Sequence, residues 1–258
     1  MSLLDDLKKQ AQEKSALQSQ DLSKTLQHHE LNWHKLAPKL FIMMNYFKEI
    51  AETLNVVQPE ESYQFNITKN FALKGLKKCN FRILKDKEGS GRTFSFRYDL
   101  RGQGEQKAAV NNETMSERLR GILMEEKIEF SQVPESQTRI IFIIKPVVTT
   151  SFTYSADVEN GTINLTIKNY DGIMSQTIRY KPENIRDEML DETVKFILGK
   201  ENRFMELSGY VMSEDLRRKL QEKLRQDDRK QPARGTSASE SQDILDSTIN
   251  KFSSIFKK

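Results

Sequence analysis

From Leu22 to Val57 the chain carries one helical seam: Leu22, Leu26, His29, Trp33, Leu36, Leu40, Met43, Phe47, Ile50, Leu54 and Val57 recur at alternating spacings of four and three. Eleven positions in that register form a stripe that must lie along a second apolar surface, and only His29 is not plainly apolar. Pro38 lies within the pattern. It lacks a backbone N–H and clashes with the preceding turn, so it predicts a kink, or a second helix opening near Ala37. Residues 1–20 carry Leu3, Leu4, Leu7 and Ala11 but then lose the register, and are expected to form a separate, weakly held helix.

From Tyr63 the period falls towards two. Lys77 to Leu84 and Thr93 to Leu100 flank the turn-rich Asp86-Lys87-Glu88-Gly89-Ser90-Gly91, which predicts a hairpin. Strict alternation would put Cys79, Phe81 and Ile83 on one face with Phe94, Phe96 and Tyr98. Lys78, Asn80, Arg82, Ser95, Arg97 and Arg101 would then share the other. A helix follows over about Glu113 to Glu126, with Met115, Leu119, Ile122 and Leu123 on its apolar side. Strands are expected at Lys127 to Val133, Thr138 to Ile144, Val147 to Val158, Thr162 to Asn169 and Gly172 to Tyr180. Gly172 is expected to take the positive φ of a tight reversal. Pro182 predicts a helix running to Leu198 and stopped at Gly199, and Ser213 caps another from Glu214 to about Arg229. These elements define an α+β class: an antiparallel meander packed against N-terminal helices, with further C-terminal helices. Residues 21–229 are read as the folded domain.

Gln231 to Gln242 is rich in Ser, Thr and Ala and contains Pro232 and Gly235; residues 230–242 read as a flexible linker. Beyond it, at 100° per residue, Ile244, Leu245, Ile249, Phe252, Ile255 and Phe256 fall within an arc of about 140°, and polar residues fill the rest of the 243–258 helix. An isolated helix of this length is marginal in water, so the stripe needs a surface: its own domain, the groove of a protein partner, or a membrane interface.

Composition narrows the chemistry. The longest apolar runs, Leu40 to Phe47 and Ile140 to Val148, are far shorter than the roughly 20 residues of a membrane span. The amino terminus lacks the pattern of a secretory leader. One cysteine, Cys79, makes no internal disulfide and no thiolate cage, which points to a reducing, cytoplasmic setting. The net charge of +4 is unevenly spread: between Lys69 and Lys107 there are eleven Lys and Arg against four Asp and Glu. Lys78, Arg82, Arg97 and Arg101 are therefore the candidate anion-binding residues, with nucleic acid as one salt-dependent partner. No stacking aromatics are interleaved with them, so base recognition is not supported.

Catalytic signatures are absent. His28-His29-Glu30-Leu31-Asn32-Trp33-His34 places His29 and His34 five residues apart, about 140° around a helix, whereas a zinc helix needs a spacing of four. These are the only three histidines, so a His-based triad has nowhere else to form. The glycine clusters Gly89-Ser90-Gly91 and Gly102-Gln103-Gly104 lack the spacing of a phosphate loop. No metal or other cofactor is expected. Arg97-Tyr98-Asp99-Leu100-Arg101 resembles the Arg-x-x-x-Arg half of the PilZ cyclic-dinucleotide motif, but that family's Asp-x-Ser-x-x-Gly half is absent, so no such ligand is implied.

Met1-Ser2-Leu3-Leu4-Asp5-Asp6-Leu7-Lys8-Lys9-Gln10, Asn169-Tyr170-Asp171-Gly172, and Leu190-Asp191-Glu192 followed by Phe196-Ile197-Leu198-Gly199 and Arg203-Phe204 resemble an uncharacterised proteobacterial protein family over residues 1–207. The resemblance implies a bacterial cytoplasmic protein and brings no activity or site residues. The leading expectation is a non-enzymatic binding or adaptor protein whose tethered terminal helix engages a protein partner or a membrane surface. The alternatives are an anion or nucleic-acid binder using hairpin 77–101, and an enzyme acting on a small molecule. A homodimer through the helical seam is the competing use of the heptad register.

Overall fold

The computed structural model describes residues 3–86, 89–136 and 139–208. The chain divides into two units, Met1–Pro182 and Glu183–Lys258. The expected 214–229 helix, the 230–242 linker and the amphipathic 243–258 segment lie outside the described residues.

The first unit opens with α1 (Leu3–Val57), a single helix of 55 residues. It crosses residue 20 and Pro38 without interruption, so neither the separate 1–20 helix nor a second helix starting at Pro38 is observed. A proline costs the helix one backbone hydrogen bond, and the seam on both sides of it offsets that cost: Leu36, Leu40, Met43, Phe47 and Leu54 are all buried. Three strands follow, β1 (Tyr63–Thr68), β2 (Phe71–Lys85) and β3 (Thr93–Arg101), and then, after an excursion, β7 (Val147–Asp157), β8 (Thr162–Lys168) and β9 (Ser175–Tyr180). These six form one sheet in the order β1-β2-β3-β7-β8-β9, every pair antiparallel. The excursion is β4 (Gln106–Val110), α2 (Glu113–Glu125), β5 (Phe130–Pro134) and β6 (Ile140–Ile144), whose strands form a separate sheet in the order β4-β6-β5. Asn112 caps α2, its side chain accepting from the Met115 N–H at 3.2 Å.

The α+β meander expected from the sequence is therefore present, with α1 laid across β2, β3 and β7. Its core is aromatic. Phe47 on α1 meets Phe96 at 5.6 Å and Tyr154 at 5.4 Å between ring centroids, and Phe94 stacks on Tyr154 at 4.9 Å. The meander also curls back on itself. Asn66 on β1 bridges to Gly172 in the β8–β9 turn, its N–H donating to the Asp171 carbonyl at 3.1 Å and its own carbonyl accepting from Ile173 at 3.1 Å. Gly172 does not take the positive φ expected of it; Asn169, at φ 58°, turns the chain instead. What Gly172 supplies is room, since a Cβ there would sit 2.7 Å from the Asn66 carbonyl oxygen.

β2 changes partner along its length, and two side-chain amides complete its backbone hydrogen bonding where the ladders give way. Gln106 accepts from the Lys74 N–H at 3.0 Å and donates to the Lys74 carbonyl at 2.7 Å. Asn55 makes the same pair of bonds with Phe81. Between these positions β2 bulges: the register to β3 shifts between Cys79 and Arg82, with Asn80 at φ 56°.

A 3₁₀ turn at Pro182–Asn184 stands where the helix was expected to begin, and in the second unit α3 spans Asp187–Ile197. Gly199 at φ 71° ends it, its N–H donating to the Phe196 carbonyl at 2.9 Å. A short helix, α4 (Phe204–Leu207), stacks Phe204 on Phe196 at 4.6 Å. Glu192 joins the two helices by accepting from Lys195 Nζ at 2.6 Å and the Arg203 N–H at 2.5 Å. Those hydrogen bonds hold its carboxyl below the usual range. Among the described residues, no helix is long and apolar enough to cross a membrane.

Candidate anion-binding groove

The bulge in β2 decides which cations share a face. Strict alternation grouped Lys78 with Arg82, Arg97 and Arg101, but the extra residue at Asn80 reverses the pleat, and Lys78 points inward opposite Leu100. Lys78 is 4% exposed. Its ammonium lies 3.6 Å above the Tyr63 ring, and the Tyr98 and Tyr170 rings are 5.6 and 5.8 Å away. Burial lowers its pKa to about 7, against the pull of Asp171 and Glu61. The anion-binding assignment of Lys78 is thereby corrected: it belongs to the interior. Cys79 moves the opposite way, joining the face of its partner Asp99, and burial raises its thiol pKa.

Arg82, Arg97 and Arg101 remain together. Arg82 lies opposite Arg97, Arg97 opposite Ser151, and Ser151 opposite Lys168, so one cross-strand row runs Arg82, Arg97, Ser151, Lys168 over four strands. At about 4.8 Å per strand the row is roughly 14 Å long. It floors an open groove of about 870 Å³, walled by the β3–β4 loop at Gly102 to Glu105, the end of α2 at Glu125 to Glu129, and Lys145–Pro146 ahead of β7.

The charges in the groove are unequally compensated. Asp99 accepts from Asn80 Nδ2 at 3.0 Å, Arg82 Nη2 at 3.1 Å and Thr149 Oγ1 at 3.0 Å. Burial would push its carboxyl pKa up, but those three donors outweigh burial and hold it below the usual value. Arg82 is thus committed to Asp99. Lys145 pairs with Glu129 at 2.7 Å and Lys168 with Glu126 at 3.1 Å. Glu126 also accepts from Asn169 Nδ2 at 2.7 Å. Among the described residues, Arg97, Arg101 and Lys127 have no ion-pair partner, and Arg97 Nε and Asn169 Oδ1 are buried polar atoms without a hydrogen bond. A buried N–H lacking an acceptor costs on the order of 1–3 kcal/mol.

Lys168, Asn169 and Glu126 were not read from the sequence. Glu126 and Asn169 are 43 positions apart, and no local pattern joins them. The histidines contribute nothing here: the groove takes no residue from α1, and His34 lies 3.9 Å from Glu30 on an exposed helix face. Trp33 carries the Arg92 guanidinium over its ring at 5.6 Å. A second depression of about 890 Å³, lined by Asp99 among others, lies where the end of α1 meets the β2 bulge, and it shares Arg82 with the first. Among the described residues no group of His, Cys, Asp and Glu could hold a metal ion.

Fold and groove together define an α+β protein with a curled antiparallel meander and a polar cleft on its outer face. No family model, curated protein or solved structure matches the chain.

Proposed function

We propose that this is a binding protein whose outer sheet face receives an anionic ligand. The observation that carries the reading is Arg97: it stands in the middle of the sheet with its Nε buried and unbonded, while the carboxylate next to it on the same face, Asp99, is spent on Arg82. An arginine held there without a carboxylate offers charge-assisted hydrogen bonds to carboxylate or phosphate oxygens. The test is retention on heparin at low salt. Wild-type protein is retained and elutes earlier as salt rises, whereas R97E and R101E pass through; equal retention of all three would remove the groove as the site.

A second reading rests on the 100° periodicity of Ile244, Leu245, Ile249, Phe252, Ile255 and Phe256: a tethered helix that docks on a protein partner, the adaptor role of a bacterial cytoplasmic protein. Comparing the partners captured by the full chain with those captured by a form ending at Asp228 tests it. Identical sets would end the adaptor role of the tail.

A further inference from the structure

Glu126 is placed where a carboxylate is disfavoured. It is the C-cap of α2, at the negative end of the helix dipole, yet its side chain is only 7% exposed and turns onto the sheet. There Oε2 lies 3.1 Å from Lys168 Nζ and 2.7 Å from Asn169 Nδ2. Asn169 is 4% exposed and keeps Oδ1 without a hydrogen bond. The sheet thus holds a buried carboxylate on one ammonium and one amide donor, which is the chemistry of an oxyanion receptor. This receptor sits two strand steps from Arg97, about 10 Å along the same cross-strand row, with Ser151 between them.

We infer that Glu126 occupies the second oxyanion position of the groove, and that the natural ligand carries two anionic groups: one taken by Arg97, the other displacing Glu126 from Lys168 and Asn169. The inference rests on the anion-binding reading and adds which atoms hold which group and what competes with the ligand. Two ligand sources share this chemistry, short linear polyphosphates and extended dicarboxylates, and separate titrations distinguish them.

The experiment titrates inorganic triphosphate, and separately adipate, into the folded full chain. Removing the competing carboxylate in E126Q should tighten binding of the matching ligand about fivefold, as expected for release of one ion pair. E159Q adds the same charge at an exposed carboxylate of the β7–β8 turn, outside the groove, and should change affinity less than twofold. K168A should weaken binding about fivefold and, combined with E126Q, abolish the gain. An E126Q affinity equal to wild type, or matched by E159Q, overturns the inference while leaving an Arg97-dependent anion site standing. Absence of binding by wild type and E126Q alike overturns both.

Discussion

The side-chain amide of Asn55 closes two hydrogen bonds onto the backbone of Phe81, donating to its carbonyl at 2.7 Å and accepting from its N–H at 2.9 Å. A helix side chain here supplies the pairing that the β2 bulge takes away from the sheet. The bulge in turn sets Arg82 opposite Arg97, so the groove depends on this contact across the core.

Replacing Asn55 with Ala strands both groups of Phe81. The expected loss is about 2 kcal/mol, from two hydrogen bonds at roughly 1 kcal/mol each. N55D retains only the acceptor and should fall in between. Urea midpoints of the three proteins check this, and an unchanged midpoint for N55A would show that the amide is not what holds the bulge.

The interior of the meander makes stability depend on pH in two opposed steps. Burial lowers the Lys78 pKa to about 7, so between there and the ordinary lysine value the unfolded chain binds more protons, and stability rises with pH. Burial raises the Asp171 pKa to about 6. Between the ordinary carboxylate value and 6 the folded chain binds more protons, so stability falls as pH rises. These two contributions place a minimum between about pH 6 and 7. Urea midpoints across pH 4 to 10 should lose the upper rise in K78M and the lower fall in D171N; a K78M profile parallel to wild type above pH 7 would contradict the assignment.

The seam between β1 and the β8–β9 turn has no room for a methyl group. G172A brings a Cβ to 2.7 Å from the Asn66 carbonyl oxygen, and the backbone must move apart. Amide exchange at Asn66 and Ile173 should accelerate at least tenfold while the centres of β3 and β7 stay protected.

Pro38 stands inside α1 and is exposed. Since an interior proline costs a helix about 3 kcal/mol relative to alanine, P38A should stabilise the protein by about 1–3 kcal/mol, read as a higher urea midpoint. A lower midpoint would mean that Pro38 serves the fold in another way.

The middle of the helical seam was legible because burial on one side of α1 repeats with the helix period, and Leu36, Leu40, Met43, Phe47 and Leu54 are all in the core, whereas Leu22, Leu26 and Val57 of the same register are exposed. The hairpin, its aromatic inner face and the outward set of Arg82, Arg97 and Arg101 were legible for the matching reason at period two. Lys78 was misplaced because a single inserted residue inverts every side chain before it. The signal was present in Asn80, a residue type that tolerates positive φ, but a bulge of one residue leaves no trace in hydrophobic periodicity. β4 was missed because Gln106–Val110 is short and follows two glycines. Its place in a second sheet with β5 and β6 is a pairing choice that no local pattern states. The Glu126 contact to Lys168 and Asn169 required the three-dimensional return of α2 over the sheet.

The central claim is that Arg97 is the anchor of an anion site. Isothermal titration of inorganic triphosphate into wild-type protein and R97Q at low ionic strength tests it most directly. The account predicts saturable binding by wild type, weakened at least tenfold in R97Q through loss of charge-assisted hydrogen bonds, with both proteins equally folded. Equal affinity of the two proteins, or no heat of binding from folded wild type, would contradict it.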